Sequence, residues 1–370
     1  MDNFIVSARK YRPLTFESVV GQESLTTTLK NAIKTNHVAH SYLFCGPRGV
    51  GKTTCARIFA KTLNCSNLGE NTEACDECES CIAFNENKSY NIHELDAASN
   101  NSVDDIRSLI EQVRIPPQVG KYSIYIIDEV HMLSSSAFNA FLKTLEEPPA
   151  HAIFILATTE KHKIIPTILS RCQIYDFNRI KIDDAVEYLR YISDKENVTY
   201  EKDAFNVIAQ KADGSMRDAL SIFDQVVSFS GNNITYKNVI ENLNILDYEY
   251  YFKLTDAFLN ENITDSMLIF DEILNNGFDA HHLITGISEH FRNLLLCKDV
   301  ATIELLEVGE NIREKYKEQT KKSVNDFLFS ALKITSNCDI SYRISKNKRL
   351  HVELALVELC NIFAEKKKLN

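Results

Sequence analysis

Gly46-Pro47-Arg48-Gly49-Val50-Gly51-Lys52-Thr53 decides the fold of this chain. The pattern G-x-x-x-x-G-K-T is a complete phosphate-binding loop. Its glycines let the backbone wrap closely with N–H groups pointing inward, where they hold phosphate oxygens. Lys52 is placed to reach the β- and γ-phosphates, and the Thr53 hydroxyl to ligate Mg²⁺. The apolar run Tyr42-Leu43-Phe44-Cys45 just before the loop reads as a buried strand. Thr54 to Leu63 reads as a helix whose positive end faces the phosphates. A chance match in a turn would not carry this order of strand, loop and helix.

The second half of the site lies about 75 residues downstream. Ser123-Ile124-Tyr125-Ile126-Ile127 is apolar and β-branched and runs into Asp128-Glu129-Val130-His131. A carboxylate at the C-terminal edge of a parallel strand sits in the crevice where nucleotides bind. Asp128 is placed to hold Mg²⁺, and Glu129 to polarise the water that attacks the γ-phosphate. Alone, the pair would read equally well as solvated acids ending a strand; the loop upstream favours the metal site.

A length of 370 residues predicts two or three domains. Apolar content of 44% and charged content of 25% are ordinary for a globular chain. No apolar stretch has the roughly 20 residues needed to span a bilayer, and the opening MDNFIVSARKYRP has no apolar segment of a secretory signal. A cytosolic protein with no membrane partner is expected. The net charge of −10 argues against coating nucleic acid by bulk electrostatics. Contact through a local basic surface remains open.

Of the 10 cysteines, Cys65, Cys75, Cys78 and Cys81 form a C-x9-C-x2-C-x2-C cluster. Four thiolates at this spacing suit structural Zn²⁺. No ligand position stays open, so the metal is expected to stand outside the chemistry. Iron–sulfur ligation and unliganded surface thiols are the alternatives. Cys45, Cys55, Cys172, Cys297, Cys338 and Cys360 sit in apolar or helical runs and read as small core residues.

The first half of the chain alternates strand-like and helix-like segments, which predicts a mostly parallel α/β sheet. Strands are expected at 41–45, 91–95, 123–127, 152–157 and 173–177, with the cysteine module at about 64–83 as an insertion. Ser102 and Asp105 form a capping box, and Pro116-Pro117 stop the helix that follows it. From about 180 the chain reads as helix after helix, with Ser215 and Asp218 capping one of them. The expected borders are a nucleotide-binding domain at 1–180, a small helical lid at 181–243 and a helical domain at 244–370 with a break at Gly277.

This layout resembles that of AAA+ ATPases, which implies polar sensors beyond the two loops. Ile153 to Thr159 is an apolar strand ending in hydroxyls, and Thr159 is favoured over Thr158 as a γ-phosphate sensor; a simple strand-end cap is the other reading. Arg217, in Gly214-Ser215-Met216-Arg217-Asp218, is placed to reach back from the lid to the γ-phosphate. A surface pair with Asp218 would look the same. Arg171, in Ser170-Arg171-Cys172, is placed to complete a neighbouring subunit's site in trans; a buried structural arginine is the alternative.

The same residues resemble the bacterial DNA polymerase III clamp-loader subunits gamma and tau. The resemblance is carried by ARKYRP at 8–13, VVGQ at 19–22, GPRGVGKTT, the four-cysteine insert, ELDAASNNSVDDIR, YIIDEVHMLS, LEEPP, LATTE, LSRCQ and GSMRDALS. It covers roughly residues 5–230; beyond 245 only HFRNL at 290–294 looks familiar. It implies an ATPase that works with delta and delta-prime type subunits in a heteropentamer. Such an assembly opens a sliding clamp and places it on primed DNA. The resemblance further implies that Tyr11, Arg12, Pro13, Val19 and Val20 pack on adenine, and that the C-terminal helices form a collar. The further domains of the tau form are absent, so a short form or a truncated piece is expected. A related DNA motor such as a branch-migration helicase, and a scaffold subunit that does not hydrolyse ATP, are the competing readings. Arg107 and Lys143 are weak candidates for DNA contact.

Overall fold

A computed structural model describes residues 5–117, 120–306 and 308–369. Residues 1–4 of the opening stretch lie outside the described ones. The chain forms two compact units. One comprises residues up to Glu196 together with Ala209–Gln225. The other comprises Asn197–Ile208 and the residues from Val226 on.

The first unit is built on a five-stranded sheet of β1 (Ser41–Cys45), β2 (Ile92–Asp96), β3 (Ser123–Asp128), β4 (Ala152–Thr158) and β5 (Gln173–Asp176). The spatial order is β2-β3-β4-β1-β5, and every pairing is parallel. All residues of β1 and β4 are buried, because helices cover both faces of a parallel sheet. Alternate side chains point to opposite faces. Tyr42 and Phe44 pack with Leu29, Phe59, Ile126 and Ile155 on one face. Leu43 and Cys45 pack with Tyr125, Phe154, Phe141 and Leu109 on the other. The flanking helices are Glu23–Lys34 and Lys52–Leu63 on the first face, and Val103–Val113 and Ser135–Glu146 on the second.

Local signals behave as their chemistry requires. Ser102 and Asp105 make both bonds of the capping box. The cysteine insert, with its short helix Glu79–Asn85, lies between β1 and β2. The sheet order places the C-terminal ends of β3, β4 and β1 side by side, with Cys45 opposite Thr158 in the register. That end of the sheet is where the functional side chains gather.

The second unit is helical. Its main helices are Tyr248–Leu259, Ile263–Asn275, Ala280–Leu296, Glu310–Lys322, Asn325–Tyr342 and Lys348–Leu369. They enclose one apolar core that includes Leu254, Phe258, Leu283, Phe291, Phe327 and Leu356. Gly277, at φ 83°, does mark a break. The other breaks are made by polar residues, such as Asn260 to Asn262, where Glu261 adopts φ 55° and Asn262 caps the next helix. The contacts divide residues 181–243 between the two units, and a two-residue parallel ladder joins Thr199–Tyr200 to Asn233–Ile234. Among the described residues no helix is long and apolar enough to cross a membrane.

Candidate nucleotide and metal sites

The phosphate loop leaves β1 and enters the helix Lys52–Leu63. Its glycines are needed for two different reasons. Gly51 adopts φ 101°, a left-handed conformation at the helix start. At Gly49 (φ 75°) a Cβ would lie 1.9 Å from Ser215 Oγ, so the start of the helix Met216–Ser230 seats directly on the loop. Arg217 is the second residue of that helix; its N–H donates to the Gly49 carbonyl at 3.4 Å, and its side chain lines the cleft above the loop.

Lys52 is only 6% exposed. Its ammonium donates to the carbonyls of Gly46 (2.8 Å) and Pro47 (2.7 Å). Burial lowers its proton affinity, and Glu129 and Asp128 partly restore it. The Thr53 hydroxyl donates to Asp128 Oδ2 at 2.6 Å, so the two oxygen donors expected on Mg²⁺ already meet. Glu129 stands in left-handed backbone at φ 47°, which turns its side chain away from the strand line. Its Oε2 accepts from the Thr159 hydroxyl at 2.9 Å and from the Thr159 N–H at 3.3 Å. Thr158 is fully buried and instead contacts His131 Nδ1 at 3.0 Å. Of the two hydroxyls, Thr159 is therefore the one joined to Glu129.

A cleft of about 660 Å³ brings Lys52, Thr53, Asp128 and Glu129 together. Tyr11, Arg12, Pro13 and Val20 line it together with Arg48 through Thr54, Asp128, Glu129 and Arg217. Arg12 Nε donates to Thr54 Oγ1 at 3.1 Å. Arg171 does not line the cleft. Its guanidinium donates to the Thr167 carbonyl (2.7 Å) and pairs with Glu146 Oε1 (2.6 Å), with about a third of the side chain exposed.

Some lining groups escaped the sequence reading. Ile180, Met216 and Leu220 add apolar wall far along the chain from the loop, and no local pattern marks them. His131 does not line the cleft but touches one of its groups, Glu129. It stands three residues after Asp128 on the turn Val130–Met132, with Nδ1 3.4 Å from Glu129 and Nε2 3.1 Å from Glu160.

Away from this cleft, the four sulfurs of Cys65, Cys75, Cys78 and Cys81 all lie within 4.8 Å of one another. Tetrahedral zinc with Zn–S bonds of about 2.3 Å needs sulfurs roughly 3.8 Å apart. Cys65 and Cys75 are 3.5 Å apart, so the set fits a structural ion. Burial opposes ionisation of Cys78, but N–H groups of Ser66 and Cys81 bring its thiol down to about 6. That favours the thiolate a metal requires.

Comparison with known proteins accounts for nearly the whole chain. Residues 21–181 match the family described as DNA polymerase III, delta subunit. Residues 184–232 match the DNA polymerase III clamp loader subunit, ATPase lid domain. Residues 234–370 match DNA polymerase III subunits gamma and tau domain III. DNA polymerase III subunit tau of Bacillus subtilis (strain 168) is 41% identical over 352 residues, covering 95% of this chain and 62% of that protein. DNA polymerase III subunit gamma of Buchnera aphidicola (subsp. Baizongia pistaciae) is 34% identical over 364 residues, covering 97% of this chain and 98% of that protein. Among solved structures, the Thermotoga maritima RuvB Holliday junction branch migration motor aligns at a TM-score of 0.47 and 20% identity, over 67% of this chain and 79% of that one, too distant to carry a functional argument. This chain belongs to the family of DNA polymerase III subunits gamma and tau.

Proposed function

We propose that this chain is an ATP-hydrolysing subunit of a clamp loader, in which ATP binding and hydrolysis drive opening of a sliding clamp and its placement on primed DNA. The observation that carries the reading is the convergence of Lys52, the Thr53–Asp128 pair and Glu129 in one cleft, with Glu129 held from outside the lining by Thr159. Its partners are delta and delta-prime type subunits, the clamp and primed DNA, and its compartment is the cytoplasm. The working divisions are a nucleotide-binding domain at 1–180, a lid at 181–243 and a collar at 244–370. The family matches, which change near 181 and 233, support them.

The residues divide the work. Backbone N–H groups of Arg48 to Thr53 and the Lys52 ammonium hold the phosphates; two carbonyl bonds of Lys52 give way to phosphate oxygens. Thr53 and Asp128 would hold Mg²⁺, which neutralises charge on the β- and γ-phosphates when bound. Glu129 takes the proton of the attacking water, and Thr159 holds that carboxylate in place. Arg217 senses the γ-phosphate from the lid, while Arg171 serves a neighbouring subunit's site. Tyr11, Arg12, Pro13 and Val20 form the wall on the base side. Cys65, Cys75, Cys78 and Cys81 would hold one Zn²⁺ as a structural ion.

A scaffold subunit without hydrolysis would have no need for Glu129 to be held by Thr159. Glu129→Gln separates the two. The amide oxygen still accepts from Thr159, so ATP should bind as in wild type, while turnover should fall by roughly 10²–10⁴. Equal turnover in the variant sinks the assignment.

A further inference from the structure

The cysteine insert is tied to the nucleotide cleft at both of its walls. Glu73 is the first tie. A turn in which Gly69 N–H donates to the Glu73 carbonyl at 3.0 Å presents its carboxylate. Oε2 accepts from Phe16 N–H at 3.0 Å, Oε1 accepts from Glu17 N–H at 3.2 Å, and Oε1 pairs with Lys30 Nζ at 2.7 Å. These partners lie 57 and 56 residues away in sequence for the two backbone bonds, and the carboxylate is only 16% exposed. Its acceptors satisfy the N–H groups that open the turn Phe16 to Val19, whose own closing bond runs from Val19 N–H to the Phe16 carbonyl. Phe16 and Val19 are buried, and Val19 and Val20 line the cleft. Val19 stands beside the loop, with Cγ1 4.0 Å from where a Cβ on Gly51 would be.

The second tie runs to the phosphate-loop helix. Lys61, 2% exposed, pairs with Asp76 at 2.6 Å. A third passes through Arg57, which stacks on Phe84 of the insert's helix at 4.7 Å and pairs with Glu94, a cleft residue. Cys75 lies between Glu73 and Asp76, so whatever fixes the cysteine cluster fixes both anchors.

We propose that the four-cysteine insert braces the base side of the nucleotide cleft, with Glu73 as its positioning residue. The proposal rests on the reading that the cleft takes ATP. It makes affinity for the nucleoside part of the ligand, but not for its phosphates, depend on an occupied cysteine cluster. The phosphates are held by Lys52 and loop N–H groups that Glu73 does not touch. The apolar wall of Val19 and Val20 is what the carboxylate positions. The metal thus acts on the site through geometry, although no ligand position is open to substrate.

The test compares dissociation constants for Mg·ATP and Mg·tripolyphosphate by calorimetry on the full chain. It uses wild type, Glu73→Ala, Glu73→Gln and wild type stripped of metal by a chelator, with zinc content measured for each. Wild type should carry about one zinc and prefer ATP strongly. Glu73→Ala should weaken ATP about three- to tenfold, a part of what charge-assisted bonds contribute, and leave tripolyphosphate within about twofold. Glu73→Gln, which keeps one acceptor, should fall between, with zinc retained in both variants. The stripped protein should show the same ATP-selective loss. Equal loss for both ligands, or no loss for ATP in either variant, overturns the brace. Unchanged ATP affinity after stripping overturns the role of the metal. A wild type that binds tripolyphosphate as tightly as ATP overturns the nucleotide reading itself, and the brace with it.

Discussion

Replacing Lys52 by alanine should abolish tight nucleotide binding and leave the fold standing. The ammonium makes two short bonds to the Gly46 and Pro47 carbonyls, which shows that it reaches the loop interior where phosphate oxygens would sit. Each charge-assisted bond it transfers to phosphate is worth about 2 kcal/mol, so two amount to about 4 kcal/mol, roughly a thousandfold in Kd. The effect on folding has the opposite balance. Burial lowers the proton affinity of Lys52, so the folded chain holds this charge at a cost that alanine removes. Loss of the two carbonyl bonds acts against that gain, but Gly46 and Pro47 are only half-buried, so water can replace the lysine there. Calorimetric titration with ATP and a thermal melt of the free protein read the two quantities separately. A Kd within tenfold of wild type would refute the site, and a Tm lower by more than about 5 °C would refute the view that Lys52 is a ligand contact and not a core residue.

Other outcomes follow from the same geometry. Arg171→Ala should bind ATP as wild type does, because its partners are Thr167 and Glu146 and not its own phosphate loop. Hydrolysis in the assembled loader should drop, by up to roughly 10³–10⁵ if the arginine acts alone, and mixing with Lys52→Ala subunits should recover part of it; co-assembled mixtures that stay inactive place the arginine in a structural or cis role. The second unit should lose stability in mild acid through His290, which is wholly buried between Tyr316 and Gln319 with its proton affinity lowered by burial to about 4. The unfolded chain protonates this ring near its ordinary 6.5 and the folded one does not, so stability is full above pH 6.5 and falls towards pH 4, by roughly 3 kcal/mol. His290→Gln should flatten that part of a pH-dependent denaturation curve, and an unchanged slope would remove His290 as its source.

How much of this was legible beforehand depended on the range of the interactions. The phosphate loop, β1 and β3 announce themselves because a buried parallel strand is a continuous apolar run, and the loop follows it directly. Ser102 with Asp105, and the cysteine spacing, are equally local. Contacts set by topology leave no such trace. Glu73 bonds to Phe16 across 57 residues, and a lone glutamate in a polar insert carries no mark of it. Met216 and Leu220 reach the cleft only because a helix starts on Gly49, and Ile180 reaches it where its N–H donates to the Gly214 carbonyl just before that helix. His131 was legible in principle, three residues past Asp128, but its contact with Glu160 depends on β4 lying beside β3. The helical half showed one expected break at Gly277 and several made by asparagine and glutamate, residues whose capping role does not stand out in a polar sequence.

The central claim is that this cleft hydrolyses ATP in the service of clamp loading. Its most direct measurement is steady-state ATP hydrolysis by the chain reconstituted with delta and delta-prime type subunits, with and without sliding clamp and primed DNA. The account predicts a low basal rate that rises when clamp and primed DNA are added together, and that vanishes with Lys52→Ala. A rate indifferent to clamp and DNA, or one that survives Lys52→Ala, would contradict it.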